Sequence, residues 1–255
     1  MIVFIGDVHG EFKELAAKLS RSEILRSSLI QVGDFGVGFK NKVLEANELE
    51  ILNNCLMTGE NHLYVIRGNH DNPEYFEASS GFSNIRFLPD FTLLDVEGRT
   101  RLLAGGAISI DRTLRLPGVS YWPGEGFVFN EALVDRKLNG ITKIDIVVTH
   151  NSPEQFHPTE LAEIVIAYSL RDKSLLAELK HERLAHSRLM NFLIQKGLKP
   201  LNWYYGHFHE SFSGKYQGIR YRVLGCSEFF EHDADRLLTR IFELSQREIL
   251  SAAEN

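Results

Sequence analysis

Short apolar runs that end in glycine set the rhythm of this chain. Ile2–Ile5 is apolar, β-branched and aromatic and is closed by Gly6, the composition of a buried strand. The construction returns at 28–32 before Gly33, at 63–67 before Gly68 and at 201–205 before Gly206. Between the first three runs, apolar residues recur at helical spacing. Phe12, Leu15, Ala16, Leu19 and Ile24 do so over 11–25, and Leu44, Leu49, Ile51, Leu52, Leu56 and Met57 over 41–58. Strands alternating with helices predict an α/β fold, in which sites gather outside the carboxyl ends of the strands.

Further on the pattern changes. Runs at 85–88, 91–96 and 101–106 predict a β-rich stretch, with Val96-Glu97-Gly98-Arg99 as its hairpin turn. Residues 108–127 are less regular. A strand at 144–148 ends in Thr149-His150, and 159–198 reads as helical, as two helices broken near Asp172. Strands at 218–224 and 237–244 then complete a second sheet. No repeat, low-complexity tract or linker interrupts the chain, so 1–255 reads as one domain with a helical insert at about 158–198.

Composition narrows the function. With 255 residues, 44% of them hydrophobic, the chain can bury a large core. Charged residues make up 24% and the net charge is −6, which excludes a disordered chain and a nucleic-acid binder by bulk charge. Cys55 and Cys226 form no C-x-x-C pair, the usage of a reducing compartment. No run approaches the roughly 18 apolar residues of a membrane span. A basic leader region is missing, and cleavage would remove Asp7 and His9. A cytoplasmic location is expected.

The chemistry sits where the runs end. In an extended backbone Asp7 and His9 would point to one side, with Gly6 and Gly10 turning the chain around them. Collected, the strand-end residues are Asp7, His9, Asp34, Asn69, His70, His150, His207 and His209. Singly, Asp34 or Asn69 reads as a turn residue and His150 as a satisfied strand-end histidine. The set in order reads otherwise. GDVHG, GDFG, GNHD, TH and GHFH, running from residue 6 to 209, resemble the ordered motifs of the calcineurin-like metallophosphoesterases.

The resemblance implies a βαββα-type sandwich of two sheets flanked by helices, carrying a two-metal centre. Asp7, His9 and His209 would hold one metal, Asn69, His150 and His207 the other, and Asp34 would bridge them. The implied reaction is hydrolysis of a phosphate ester by in-line attack of a metal-bridging hydroxide, with His70 protonating the leaving oxygen. Imidazole, carboxylate and amide oxygen without thiolate suit manganese first, with iron or zinc as alternatives. The expected partner is a small phosphorylated substrate or a nucleotide. A nucleic-acid-processing phosphodiesterase and a non-catalytic interaction module are the alternatives.

The chain departs from one branch of that family. In its protein Ser/Thr phosphatases the second motif continues GD-x-x-D-R-G, whereas Val37 and Gly38 stand at the acid and arginine positions here. A protein phosphatase is therefore disfavoured. Arg112 and Arg115, after the small-residue turn Gly105-Gly106-Ala107, are candidates to grip the phosphate. Asp111 or Glu125 could orient His70.

Several other features read plainly. His181-Glu182 with His186 resembles a zinc-protease helix, but the histidines are five apart, about 140° around a helix. His62, His157, His186 and His232 read as surface or packing histidines. Residues 171–199 carry seven Lys/Arg and three acids, read as a solvated helix face, with a cap recognising an anionic substrate as the alternative. Tyr121-Trp122 reads as core rim, with a stacking platform as the alternative.

Overall fold

A computed structural model describes residues 1–77 and 81–232. Strands β1 (Ile2–Ile5), β2 (Ser28–Gln31), β3 (His62–Val65) and β4 (Ile85–Phe87) alternate at first with helices α1 (Phe12–Arg21) and α2 (Lys42–Thr58). These four strands pair in parallel, in chain order. There follow β5 (Thr92–Val96), β6 (Arg99–Ala104), α3 (Glu131–Lys137), β7 (Ile146–Thr149), α4 (Glu163–Ser169) and α5 (Leu175–Gln195). The last elements are β8 (Asn202–Tyr205), β9 (Phe212–Tyr216), β10 (Ile219–Val223) and β11 (Phe229–Glu231). The second sheet runs β5-β6-β7-β8-β10-β9, and β11 crosses back to lie antiparallel on β1.

The two sheets stack face to face with helices outside, the sandwich that the motifs imply. The apolar runs do not alternate because each strand buries both faces. In β1, Ile2 and Phe4 point between the sheets, with Ile30, Val148 and Leu224, while Val3 and Ile5 point outward onto Phe12 and Leu15 of α1 and Leu52 of α2. In β7, Ile146 and Val148 face the first sheet, and Val147 faces Leu189 and Leu193 of α5. Each fully buried side chain of this kind contributes about 1.5–3 kcal/mol. Local signals agree with the packing. Asn41 caps α2 by accepting from the N–H groups of Val43 and Leu44, and Glu97 and Gly98 both take positive φ in the predicted hairpin turn.

Among the described residues three α-helices or strands escape the sequence pattern: α3, β9 and β11, of seven, five and three residues. β11 is too short to display a period, α3 spans only two turns, and β9 carries Ser213, Gly214 and Lys215 in place of an apolar run. The helical stretch 159–198 divides into α4 and α5, which part at 170–174. The expected strand at 237–244 lies outside the described residues. What matters for function is one edge of the sandwich, where the carboxyl ends of β1, β2, β3, β7 and β8 deliver all five motifs together.

Candidate metal centre

Each motif loop is held by another motif. β1 stops at Ile5, so Asp7 and His9 do not share a face of an extended strand as expected. They lie in a loop beyond it, and the N–H groups of Val8 and His9 both donate to the Asp34 carbonyl, at 2.9 Å. His9, Asp34, His207 and His209 have φ of 51°, 55°, 70° and 55°, a left-handed backbone that costs a non-glycine residue about 1–3 kcal/mol. Such strain persists where the surroundings over-determine the conformation. Asp71 supplies much of that constraint, although sequence reading assigned it no role. Its buried carboxylate accepts from the N–H groups of Phe35, Gly36, Val37 and Gly68, at 2.7–3.2 Å. Burial, reinforced by the Asp34 charge, pushes it up to about 7.

The motif glycines have a steric reason. A Cβ on Gly68 would overlap Asp34 Oδ1 and its amide nitrogen, and one on Gly206 would overlap Asp7 Oδ1. The glycine of one motif is thus the space into which the carboxylate of another fits.

The predicted ligands converge. His9 Nε2 and His209 Nε2 stand 3.0 Å apart, and His209 Nε2 lies 3.3 Å from Asp7 Oδ2. Atoms of Asp7, His9, Asp34 and His209 all fall within 4.8 Å of one another. Opposite them, His150 Nε2 lies 3.2 Å from both Asp34 Oδ1 and Asn69 Oδ1. Asp34 divides its oxygens, with Oδ1 toward His150 and Oδ2 3.9 Å from His9 Nδ1. His207 places its ring 5.1 Å from that of His150. Asp7 holds the His207 loop by accepting its N–H at 3.0 Å.

Neighbours set the lone pairs. His150 Nδ1 lies 2.9 Å from the Val32 carbonyl and donates to it, so Nε2 is the nitrogen turned inward. Burial opposes its charge, yet the charge and hydrogen bond of Asp34 raise it to about 9, so a cation at Nε2 would take the place of a proton. Asn69 donates its amide to Ser109 Oγ (3.1 Å), which donates to Glu125 (3.0 Å), so Oδ1 is the atom left facing the centre. Glu125 therefore positions Asn69 and not His70, and burial pushes its carboxyl up to about 7. Burial opposes ionisation of Asp34, yet the charge and hydrogen bond of His150 hold it well below the usual carboxylate range. Burial, then the His150 charge, keep His207 well below the ordinary imidazole value, in the neutral form that a metal ligand needs. Nitrogen and oxygen lone pairs aimed at shared points are a donor set that fits two divalent cations. One further donor escaped the sequence reading, which expected no thiol: Cys226 Sγ groups with His9 and His209.

His70 stands over this centre. Its N–H donates to Asp34 Oδ1 at 2.7 Å, and its ring stacks on Phe39, 5.6 Å between centroids. Trp122, 8% exposed, packs edge-on against Phe39, so it belongs to the rim that backs the site. The two candidate arginines separate here. Arg115 reaches His70, with Nη2 3.0 Å from Nε2, while its Nε pairs with Asp111 at 2.7 Å. Arg112 is turned away, to Asp172 at 2.7 Å and Glu178 at 2.5 Å, and ties the site loop to the start of α5.

Of the basic residues at 171–199, Arg183 borders the centre's cavity, and its guanidinium donates to the carbonyls of Pro153, Phe156 and Pro158. Glu182 and His186 are buried, Glu182 under the N–H groups of Phe127 and Ile108 and the Asn151 amide. His186 packs 3.8 Å from Phe127, and burial drives it down to about 3. It is a packing histidine.

A two-sheet sandwich with this ligand set at one edge defines a metallophosphoesterase. The family model of the calcineurin-like phosphoesterases matches residues 1–211, and the chain belongs to that family of metal-dependent phosphoester hydrolases. Among solved structures it is similar to phosphopantetheinyl hydrolase from Mycobacterium tuberculosis, at 14% identity over 89% of each chain, with a TM-score of 0.46. It is also similar to GAP50, the anchor in the inner membrane complex of Plasmodium, at 12% identity over 88% of this chain and 71% of that one, with a TM-score of 0.43. No curated protein matches it. Among the described residues no helix is long and apolar enough to cross a membrane.

Proposed function

We propose that the chain hydrolyses a mono- or diester of phosphoric acid, using two divalent ions, manganese first with iron or zinc as alternatives. The supporting observation is the convergence of Asp7, His9, Asp34, Asn69, His150, His207 and His209 beneath His70 and Arg115. Asp7, His9 and His209 would hold one ion and Asn69, His150 and His207 the other, with one oxygen of Asp34 turned to each side. Bound there, the ions supply positive charge for the phosphate and lower the pKa of water to give a nucleophile near neutral pH.

The chain's own groups do the rest. Arg115 can only donate, and its Nη1 and Nη2 stand 3.4 and 3.0 Å from His70 Nδ1 and Nε2, so its charge disfavours a second proton on the ring. Burial, with the Arg115 charge added, lowers His70 and keeps it neutral. An arriving phosphate takes over the guanidinium, in a charge-assisted and bidentate contact. That frees Nε2, and the dianion beside it favours a proton there for the leaving oxygen. Asp111 steers Arg115 through its Nε. Arg115 thus does from a later loop what an arginine at Gly38 would do. Both cysteines are free, which accords with a reducing, cytoplasmic setting.

The test is turnover of p-nitrophenyl phosphate and its bis-ester by manganese-loaded protein. Hydrolysis of at least one that disappears on chelation is expected; two bound ions with no hydrolysis of either would overturn the reading.

A further inference from the structure

Beyond the centre a cavity of about 650 Å³ opens, within the range that encloses a small organic ligand. Asp34, Asn69, His70 and His207 form one side. The other is the approach to α4 and α4 itself, where Leu161, Ile164, Val165 and Tyr168 line the space. Their spacing is i, i+3, i+4, i+7, the stripe of an amphipathic helix. Such a stripe normally faces a core, yet α4 has no buried residue and packs on α5. Leu161 and Ile164 remain 57% and 54% exposed and line the same cavity as Asp34, Asn69, His207 and His209.

The charges around this wall are as informative. Among the described lining residues there is no lysine, and Arg183 is engaged by the Pro153, Phe156 and Pro158 carbonyls. Arg115 sits beside His70, where the reacting phosphate belongs. Glu160, Asp111 and Glu210, the last paired with His157 at 2.6 Å, complete the rim. A second phosphate on the alcohol would meet carboxylates and aliphatic side chains with no cation to receive it. We infer that the site takes a phosphate ester of a neutral, apolar alcohol, with the phosphate on the metal centre and the alkyl or aryl group against the Leu161–Ile164–Val165–Tyr168 stripe. The inference names the substrate class of the proposed hydrolase and so rests on that reading.

The test separates the two by measuring binding independently of turnover. Methyl-, butyl- and octylphosphonate, which cannot be hydrolysed at the P–C bond, are titrated by calorimetry into manganese-loaded protein, alongside AMP, ATP and a short oligonucleotide. Affinity is expected to rise about threefold or more for each methylene buried in the cavity, with ATP and the oligonucleotide weaker than octylphosphonate. The double substitution Ile164→Asn and Val165→Asn, on a helix with nothing buried to unfold, should flatten the series. A circular dichroism spectrum and melting curve matching the wild type confirm that the fold is kept. Equal affinity across the three phosphonates, or tighter binding of AMP, ATP or the oligonucleotide, overturns the inference. Loss of turnover on p-nitrophenyl phosphate with the chain-length series intact would instead overturn the hydrolase reading alone.

Discussion

Asp34 is 2% exposed and lies in a loop pinned by neighbouring motifs, whereas Leu161 and Ile164, which line the same cavity just before and within α4, are more than half exposed, and α4 has no buried residue. The floor is over-determined. It carries left-handed ligands, glycine clefts and an Asp71 clamp that joins the second motif to the third. The wall is held by little beyond α5. Chemistry needs ligands fixed within a fraction of an ångström, and only a packed, fully hydrogen-bonded shell provides that. Selecting an apolar group needs area and shape, which a lightly packed helix provides and can alter without disturbing the floor. Local stability follows burial in the same way.

The comparison breaks first if the floor tolerates change. Asp34→Asn removes the charge between the two ions and is expected to reduce metal content at both sites. The activity loss should exceed the roughly 10–100-fold typical of residues that only support ligands. Elemental analysis finding two ions in a fully active variant would refute the bridging role. His70→Ala should keep both metals and lower kcat by about 10²–10⁴-fold, less for leaving groups of low pKa. Uniform loss across a leaving-group series would assign His70 to phosphate binding.

Between floor and wall, the two arginines sharpen the contrast. Arg115→Ala should raise KM and lower kcat/KM by about 10–100-fold, the scale of a hydrogen bond between charged groups, and lysine should rescue only in part. Arg112→Ala should leave KM unchanged and lower stability by about 1 kcal/mol, because its pairing with half-exposed Glu178 is partly screened. Equal kinetic effects would show that the separation of the two side chains has no functional meaning.

An effect on stability alone concerns the buried support behind the wall. Burial raises Glu182 from 4.5 to about 7 in the folded chain, so the fold favours its protonated form. Its contribution is full below pH 4.5 and is lost as pH rises toward 7, at about 1.4 kcal/mol per pH unit. Denaturant titrations at pH 5, 6 and 7 should give the wild type a downward slope relative to Glu182→Gln. Parallel profiles would mean that Glu182 folds as a carboxylate, stabilised by the donors of Phe127, Ile108 and Asn151.

By itself the sequence determined the layers and the candidate ligands that gather at one edge. Continuous apolar runs mark strands buried on both faces, and the order of GDVHG, GDFG, GNHD, TH and GHFH marks the centre, because metal chemistry restricts the residue types that can serve. It did not determine which partner each of those residues would meet. That Asp71 clamps the second motif, that Glu125 reaches Asn69 through Ser109, and that Arg115 and not Arg112 meets His70 are matters of a few ångströms between loops distant in the chain. The left-handed backbone of His9, Asp34, His207 and His209 is equally hidden, since Asp and His, though enriched at positive φ, adopt it at only a minority of positions. Leu161, Ile164, Val165 and Tyr168 carry a helical period that local reading assigns to a core. Only the tertiary arrangement, which leaves α4 packed on α5 and open to the metal edge, decides that this stripe faces a cavity instead.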